Sequence, residues 1–201
     1  MGEMIVRGHP LAVPFDVHTW YTTGLAFSGL GMRSSTQTVG LHWTGGEGDA
    51  AGVHRTLTAR RLSVQFYIAY DGSVYQFCDA SSRAAHIGTE NARCVGIEIA
   101  NRASTVDDPK HPRETYADTV HGRTFKASYF TPAQVASAKA LTTALCAAYG
   151  LPYVSPDAHT ALDPVALRSF RGVVGHYHVT VRKNDPGTRL LRDIGTQPPK
   201  P

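Results

Sequence analysis

Two residue types that bind metal cations sit nine positions apart near the C-terminal end of the chain. His176 follows the apolar run Gly172-Val173-Val174-Gly175, and Asp185 lies between Asn184 and the Pro186-Gly187 turn. Imidazole nitrogen and carboxylate oxygen are both zinc ligands, and a strand that ends in a loop can bring the two together. Lys183, two residues before the aspartate, is a cation suited to stabilising a developing oxyanion. A catalytic zinc takes three protein ligands and keeps a fourth position open, so this stretch is one ligand short. His42 is the candidate for the third, at the end of an alternating segment that breaks at Gly45-Gly46. His178, two residues beyond His176, is a rival ligand. Glu98 stands between Ile97 and Ile99 in an otherwise apolar run. Ionised carboxylates are rarely buried without a partner, so a glutamate there marks a polar site and a candidate base.

These residues need strands to carry them. Thr36–Thr44 alternates as a strand, and Cys94–Ala100 reads as a central one. Ser63–Tyr70 and Ser73–Cys78 flank Asp71-Gly72, a strong signal for a two-residue hairpin. Asp49 to Arg60 is expected to be helical, with Val53 and Leu57 on one side. The clearest helix runs from Phe130 to Gly150: Thr131 caps it, Pro132 suits its first turn, Gln134 completes a capping box, and Gly150 with Pro152 ends it. A short helix is expected over Pro164–Phe170, leading into the strand before His176. Residues 1–35 read as a loop-rich lead-in with one short helix. Residues 102–129 read as a polar surface insertion that folds over a substrate groove, with His111 and His121 as solvated loop residues. Residues 36–195 are then the catalytic domain, and 196–201 a disordered tail.

Composition narrows the class. With 201 residues the chain is long enough for one domain with a full core. Hydrophobic residues at 42% and charged ones at 18% exclude a disordered chain. No apolar run approaches the length needed to cross a bilayer, so membrane insertion is not expected. A net charge of +4 and a pI near 9.1 favour mild attraction to anionic polymers, nucleic acid or bacterial cell wall. No basic helix or interleaved aromatic platform points to nucleic acid. Cys78, Cys94 and Cys146 have no close metal spacing and are expected as small buried apolar residues. The N-terminus lacks a signal-peptide pattern, so synthesis in the cytoplasm is expected.

The order of the motifs resembles one family. Leu41-His42-Trp43-Thr44, the Ser63–Gln76 hairpin, Ala85-His86-Ile87-Gly88, Val95-Gly96-Ile97-Glu98, Gly175-His176 and Lys183-Asn184-Asp185-Pro186-Gly187 are similar to the landmarks of type-2 zinc-dependent N-acetylmuramoyl-L-alanine amidases. Phage amidase lysozymes and peptidoglycan recognition proteins share that family. The resemblance spans roughly residues 38–190. It implies an α/β fold, a mixed central β-sheet flanked by α-helices with a zinc site in a surface cleft. It implies Zn2+ bound by His42, His176 and Asp185, Glu98 as general base on the attacking water, and Lys183 as oxyanion stabiliser. His86, Trp43 and Thr44 are then the expected substrate contacts. The implied reaction is hydrolysis of the amide between N-acetylmuramic acid and L-alanine by a monomer acting on peptidoglycan or muropeptides. A protein of this kind acts on the cell wall once released, like a phage lysin, or otherwise in the cytoplasm. Two alternatives stay open: a non-catalytic peptidoglycan-binding module, and an amidase of soluble muropeptides in wall recycling. Two positions depart from the family pattern: Gln65 stands where many relatives have histidine, and Ala85 where many have tryptophan.

Overall fold

A computed structural model describes residues 1–46, 48–102 and 111–197. The elements in chain order are β1 (Gly2–Val6), β2 (His9–Val13), β3 (Val17–Thr19), the single turn α1 (Trp20–Thr23), β4 (Thr38–Trp43), α2 (Ala50–Ala59), β5 (Phe66–Ile68), β6 (Val74–Gln76), β7 (Cys94–Ile99), β8 (Thr115–Val120), β9 (Arg123–Ser128), α3 (Pro132–Tyr149), α4 (Pro164–Ser169), β10 (Gly172–Gly175) and α5 (Thr188–Asp193).

Six strands form one mixed sheet in the order β10-β4-β7-β5-β6-β3. The first four are parallel, β6 runs antiparallel to β5, and β3 is parallel to β6. Successive side chains on a strand alternate between faces. The register Val39↔Val95 and Leu41↔Ile97 therefore gathers those side chains on one face, where they join Ile99, Phe66, Ile68 and Val173. Ala138, Leu141 and Leu145 of α3 cover this face and build the main core. The opposite face carries Gly40, His42, Gly96 and Glu98. α2 covers part of it through Ala50 and Val53, packed with Val64, Tyr67, Phe77 and Ala100. The expected mixed sheet flanked by helices is the observed architecture.

α3 follows from local chemistry. Thr131 accepts from the Gln134 N–H, the Gln134 side chain returns to the Thr131 N–H, Pro132 opens the helix, and Gly150 closes it at φ 60°. Gln134 is fully buried and also donates to the Ala100 carbonyl at 2.7 Å, so the cap ties α3 to the residue just beyond β7.

Three readings of the sequence are corrected. The first half of the lead-in is strand rather than loop: β1 and β2 form an antiparallel hairpin, and β3 is an edge strand of the central sheet; the expected short helix is α1, and no strand or helix follows it before β4. The signal was weak because these strands are three to five residues long and bury only one residue each. Arg33, with 9% exposure, fastens the segment after them by donating to the carbonyls of Ser82, Cys94 and Ala80. The polar stretch at 102–129 contains the β8–β9 hairpin, turned at His121-Gly122 with φ of 54° and 69°. Its Asp107 to Lys110 portion lies outside the described residues. Thr196, assigned to the tail, is 1% exposed and bonds Ser155 and Leu191; residues 198–201 lie outside the described residues.

The three cysteines are free and buried, as expected. Burial pushes the thiols of Cys78 and Cys94 up to about 12 and that of Cys146 to about 11, which leaves no reactive thiolate. No helix among the described residues is long and apolar enough to cross a membrane.

Replacing Thr131 with Ala is expected to destabilise the fold by about 1 kcal/mol, through loss of the cap acceptor. Urea denaturation should show a lower midpoint with an unchanged slope.

Candidate active site and metal centre

Three neighbouring parallel strands set the site. β10 pairs with β4 so that Gly175 lies beside Leu41, and β4 pairs with β7 so that His42 lies beside Glu98. His42 and Glu98 thus project from the same face, and His176 begins the turn just past the end of β10. The chain then returns through 183–188, and the Asp185 carbonyl accepts from the Tyr177 N–H at 3.2 Å, which fastens the loop beside His176.

The donor atoms converge. His42 Nδ1 lies 3.0 Å from His176 Nδ1, and both lie 3.2 Å from Asp185 Oδ2. Zinc bonds of about 2.0–2.1 Å at tetrahedral angles place ligand atoms about 3.3 Å apart, close to this triangle. Three lone-pair donors at such separations repel one another unless a proton or a cation lies between them. The donor set and spacing therefore fit a zinc ion, with one face of the triangle open to the cleft. His42 is buried at 2% exposure, and burial pushes its pKa down, keeping the imidazole neutral as a ligand must be. Burial opposes ionisation of Asp185, but hydrogen bonds from His176 and His42 outweigh it and hold the carboxyl well below its usual range.

His86 stands behind the triangle. Its Nδ1 is 3.0 Å from His42 Nε2, and its Nε2 is 3.4 Å from the Cys94 carbonyl. If His42 offers its Nδ1 lone pair to a metal, its Nε2–H donates to His86 Nδ1, and His86 Nε2–H points at the carbonyl. Both tautomers are then fixed by the same network. Burial, then the neighbouring His42, push the His86 pKa well down, consistent with a neutral relay. Gly96 makes this arrangement possible, because a Cβ there would lie 2.6 Å from the His86 ring. The Gly96 N–H is in turn held by buried Gln65 at 2.7 Å, the position that departs from the family pattern.

Glu98 is half-buried, and its Oε2 is sealed from solvent with no hydrogen-bond partner among the described residues. Burial first, and Asp185 second, raise its pKa well above the ordinary value. An unpartnered carboxylate oxygen beside the donor triangle is costly for folding, and such costs are tolerated where chemistry needs them. Glu98 lines the same cleft as His42, His176, Asp185, Lys183, His86, Trp43 and Thr44, so every expected site residue is brought to one place. The Thr44 hydroxyl is committed locally, donating to the Gly46 carbonyl and accepting from the Asn101 N–H. The Trp43 ring packs edge-on against Phe125 at 5.9 Å.

His178, the rival ligand, is fully buried and has both ring nitrogens engaged: its Nδ1 accepts from the Gly175 N–H and its Nε2 donates to the Ala158 carbonyl.

The β8–β9 hairpin supplies residues that the sequence reading missed. Both Asp118 oxygens accept from Thr188, at 2.6 Å from its N–H and 2.7 Å from its hydroxyl. His121, expected to be solvated, donates from Nε2 to the Lys183 carbonyl at 2.8 Å, and its Nδ1 meets the Thr160 hydroxyl at 3.0 Å. The hairpin thus braces both ends of the loop that carries Lys183 and Asp185. The only local signal for it was Gly122.

Comparison with known proteins agrees with this geometry. The profile of the N-acetylmuramoyl-L-alanine amidase family matches residues 32–188. The chain belongs to that family. Its activity is accordingly that of a peptidoglycan amidase. Among solved structures, the endolysin amidase LysCS from Clostridium intestinale is 16% identical, with TM-score 0.56 over 93% of this chain and 91% of its own. Drosophila peptidoglycan recognition protein SA is 18% identical, with TM-score 0.55 over 92% of this chain and 95% of its own. The E. coli amidase AmiD, solved with anhydro-N-acetylmuramic acid-L-Ala-D-gamma-Glu-L-Lys, is 18% identical, with TM-score 0.54 over 98% of this chain and 67% of its own. At these identities the likeness concerns the fold. No curated protein matches the chain significantly.

Gly96→Ala should dislodge His86 from His42 and, with His42 as a zinc ligand, weaken zinc affinity by roughly 10- to 100-fold, the usual cost of losing a ligand's supporting partner. Titration against a chromophoric zinc chelator measures this directly. His86→Ala should fall in the same range.

Proposed function

We propose that His42 Nδ1, His176 Nδ1 and an Asp185 oxygen hold one zinc ion, and that the cleft hydrolyses the amide joining N-acetylmuramic acid to L-alanine. The observation that carries this reading is the donor triangle with 3.0–3.2 Å edges set beside an unpartnered glutamate oxygen. Zinc in such a site acidifies water to a pKa of about 7 and polarises a carbonyl, which answers the inertness of an amide.

The protein's own groups supply the rest. Glu98 sits one strand over from His42, in register, and its raised pKa favours taking a proton from the attacking water and delivering it to the leaving amine of L-alanine. Lys183 lines the same cleft and is the cation that would stabilise the carbonyl oxygen as it becomes negative. His86 keeps the His42 imidazole turned toward the metal position. The cavity at the centre is about 130 Å3, room for the reacting amide and water but not for sugar and peptide together. The remainder of the substrate must lie along the open surface on either side. A binding-only role has no use for an unpartnered buried carboxylate at the donor triangle, and a complete donor set supports catalysis.

The test is hydrolysis of purified sacculi with and without a chelator, followed by zinc add-back, scoring new L-alanine amino termini alongside new reducing sugar ends. Chelator-sensitive, zinc-restored release of amines without reducing ends is expected. Reducing ends in place of amines would overturn the reading. Glu98→Gln should lower the maximal rate by roughly a hundred- to ten-thousandfold while zinc stoichiometry stays at one. A wild-type rate in that variant would remove Glu98 from the mechanism.

A further inference from the structure

The small central cavity leaves open where the rest of the polymer rests. Beside it lies a groove of about 710 Å3, walled on one side by the β8–β9 hairpin and on the other by residues 181–184. Lys183 lines both spaces. The ring contact between Trp43, in the cleft, and Phe125, in the groove, marks the same continuity.

The groove has an unusual charge balance. Arg123, Arg182 and Lys183 line it, and among the described residues no carboxylate does. Three other arginines show what a committed guanidinium looks like here: Arg189 is held by Glu114 and Asp193, Arg93 by Glu90, and Arg33 by backbone carbonyls. Among the described residues, the side chains of Arg123, Arg182 and Lys183 have no such acceptor. Three like charges around one groove repel, and an anion placed among them removes that repulsion. The walls are not independent loops. His121 donates to the Lys183 carbonyl at 2.8 Å and meets Thr160 at 3.0 Å, so the hairpin and the catalytic loop are stapled together with their cations facing one space. Val181, at 68% exposure, adds an apolar contact surface.

We propose that this groove binds an anionic group, carboxylate or phosphate, of the same polymer whose amide is cut in the adjoining cleft. The assignment rests on the amidase reading above. Peptidoglycan offers two sources of that chemistry beyond the scissile bond: free carboxylates on the peptide stems, and phosphates of polymers joined to the glycan through phosphodiesters. Guanidinium groups suit both, because their planar donor forks match either oxyanion.

The test compares the zinc-loaded wild-type chain with the double variant R123Q/R182Q. Both act on untreated sacculi and on sacculi stripped of phosphodiester-linked polymers with hydrofluoric acid. Sedimentation of zinc-stripped protein with each type of sacculus reports binding without turnover. The double variant should need about tenfold more substrate for half-saturation, sediment correspondingly less, and lose less than twofold in maximal rate. Its half-saturation should also respond less steeply to added salt than that of the wild type. A defect that persists on stripped sacculi assigns the groove to stem carboxylates, and a defect seen only on untreated sacculi assigns it to phosphate. Wild-type half-saturation, sedimentation and salt dependence in R123Q/R182Q on both substrates would overturn the proposal. Failure of the amidase reading would look different, as absence of L-alanine amines from the wild type, and the sedimentation arm would still decide the groove.

Discussion

The parallel pairing of β10, β4 and β7 is the constraint on which the rest of the site depends. Because these strands run the same way, their C-terminal ends meet at one edge of the sheet, where the loops of α/β proteins gather ligands. His42, Glu98 and the start of the His176 turn arrive there through backbone hydrogen bonding alone. Two small residues keep the face open. Gly40 and Gly96 lie side by side in the register, and a side chain at either would meet Cys94, Ile87 or His86. A one-residue slip of β4 against β7 would separate His42 from Glu98 and turn one set of side chains to the other face.

That geometry creates an electrostatic problem whose solution is chemical. Two imidazole nitrogens and a carboxylate oxygen share a space about 3 Å across, and a second carboxylate sits unpartnered beside them. Asp185 gains enough from His42 and His176 to stay ionised, whereas Glu98 is pushed the other way by burial and by Asp185. Two carboxyl groups in one cleft are thereby driven to opposite protonation behaviour, one suited to holding a cation and the other to exchanging a proton. Outside the triangle, the chain spends further hydrogen bonds on orientation, from His86 to His42 and from the hairpin to the catalytic loop.

Much of this was legible because the informative residues stand at element ends with strong local markers. Gly45-Gly46 after Trp43 and the Thr131–Gln134 box each fix a boundary by local chemistry. Asp71-Gly72 does mark a hairpin, but its strands are shorter than expected, Phe66–Ile68 and Val74–Gln76, joined across residues 69–73 rather than by a two-residue turn. Convergence of His42 and His176 was not legible from spacing, since 134 residues separate them and only the β10–β4 pairing joins them. The hairpin at 115–128 was missed because its strands alternate weakly and bury little besides Asp118, Val120, Ala127 and Ser128. Buried Asp118 reads in sequence as one more polar loop residue, yet it anchors the N-terminus of α5. His86 was placed in the cleft, but its engagement with His42 depends on the room left by Gly96, a contact across two separate segments.

The central claim is that two imidazoles and one carboxylate oxygen, preset by these strands, form the metal site. Zinc K-edge X-ray absorption on the purified chain carrying one equivalent of zinc tests it most directly. The account predicts two imidazole nitrogens and one carboxylate oxygen at about 2.0–2.2 Å, with a light non-protein atom completing four-coordination. A third imidazole would mean that His86 or His178 leaves its hydrogen bonds to bind the metal. A sulfur at about 2.3 Å would mean that a buried cysteine does. Either result would contradict the site described.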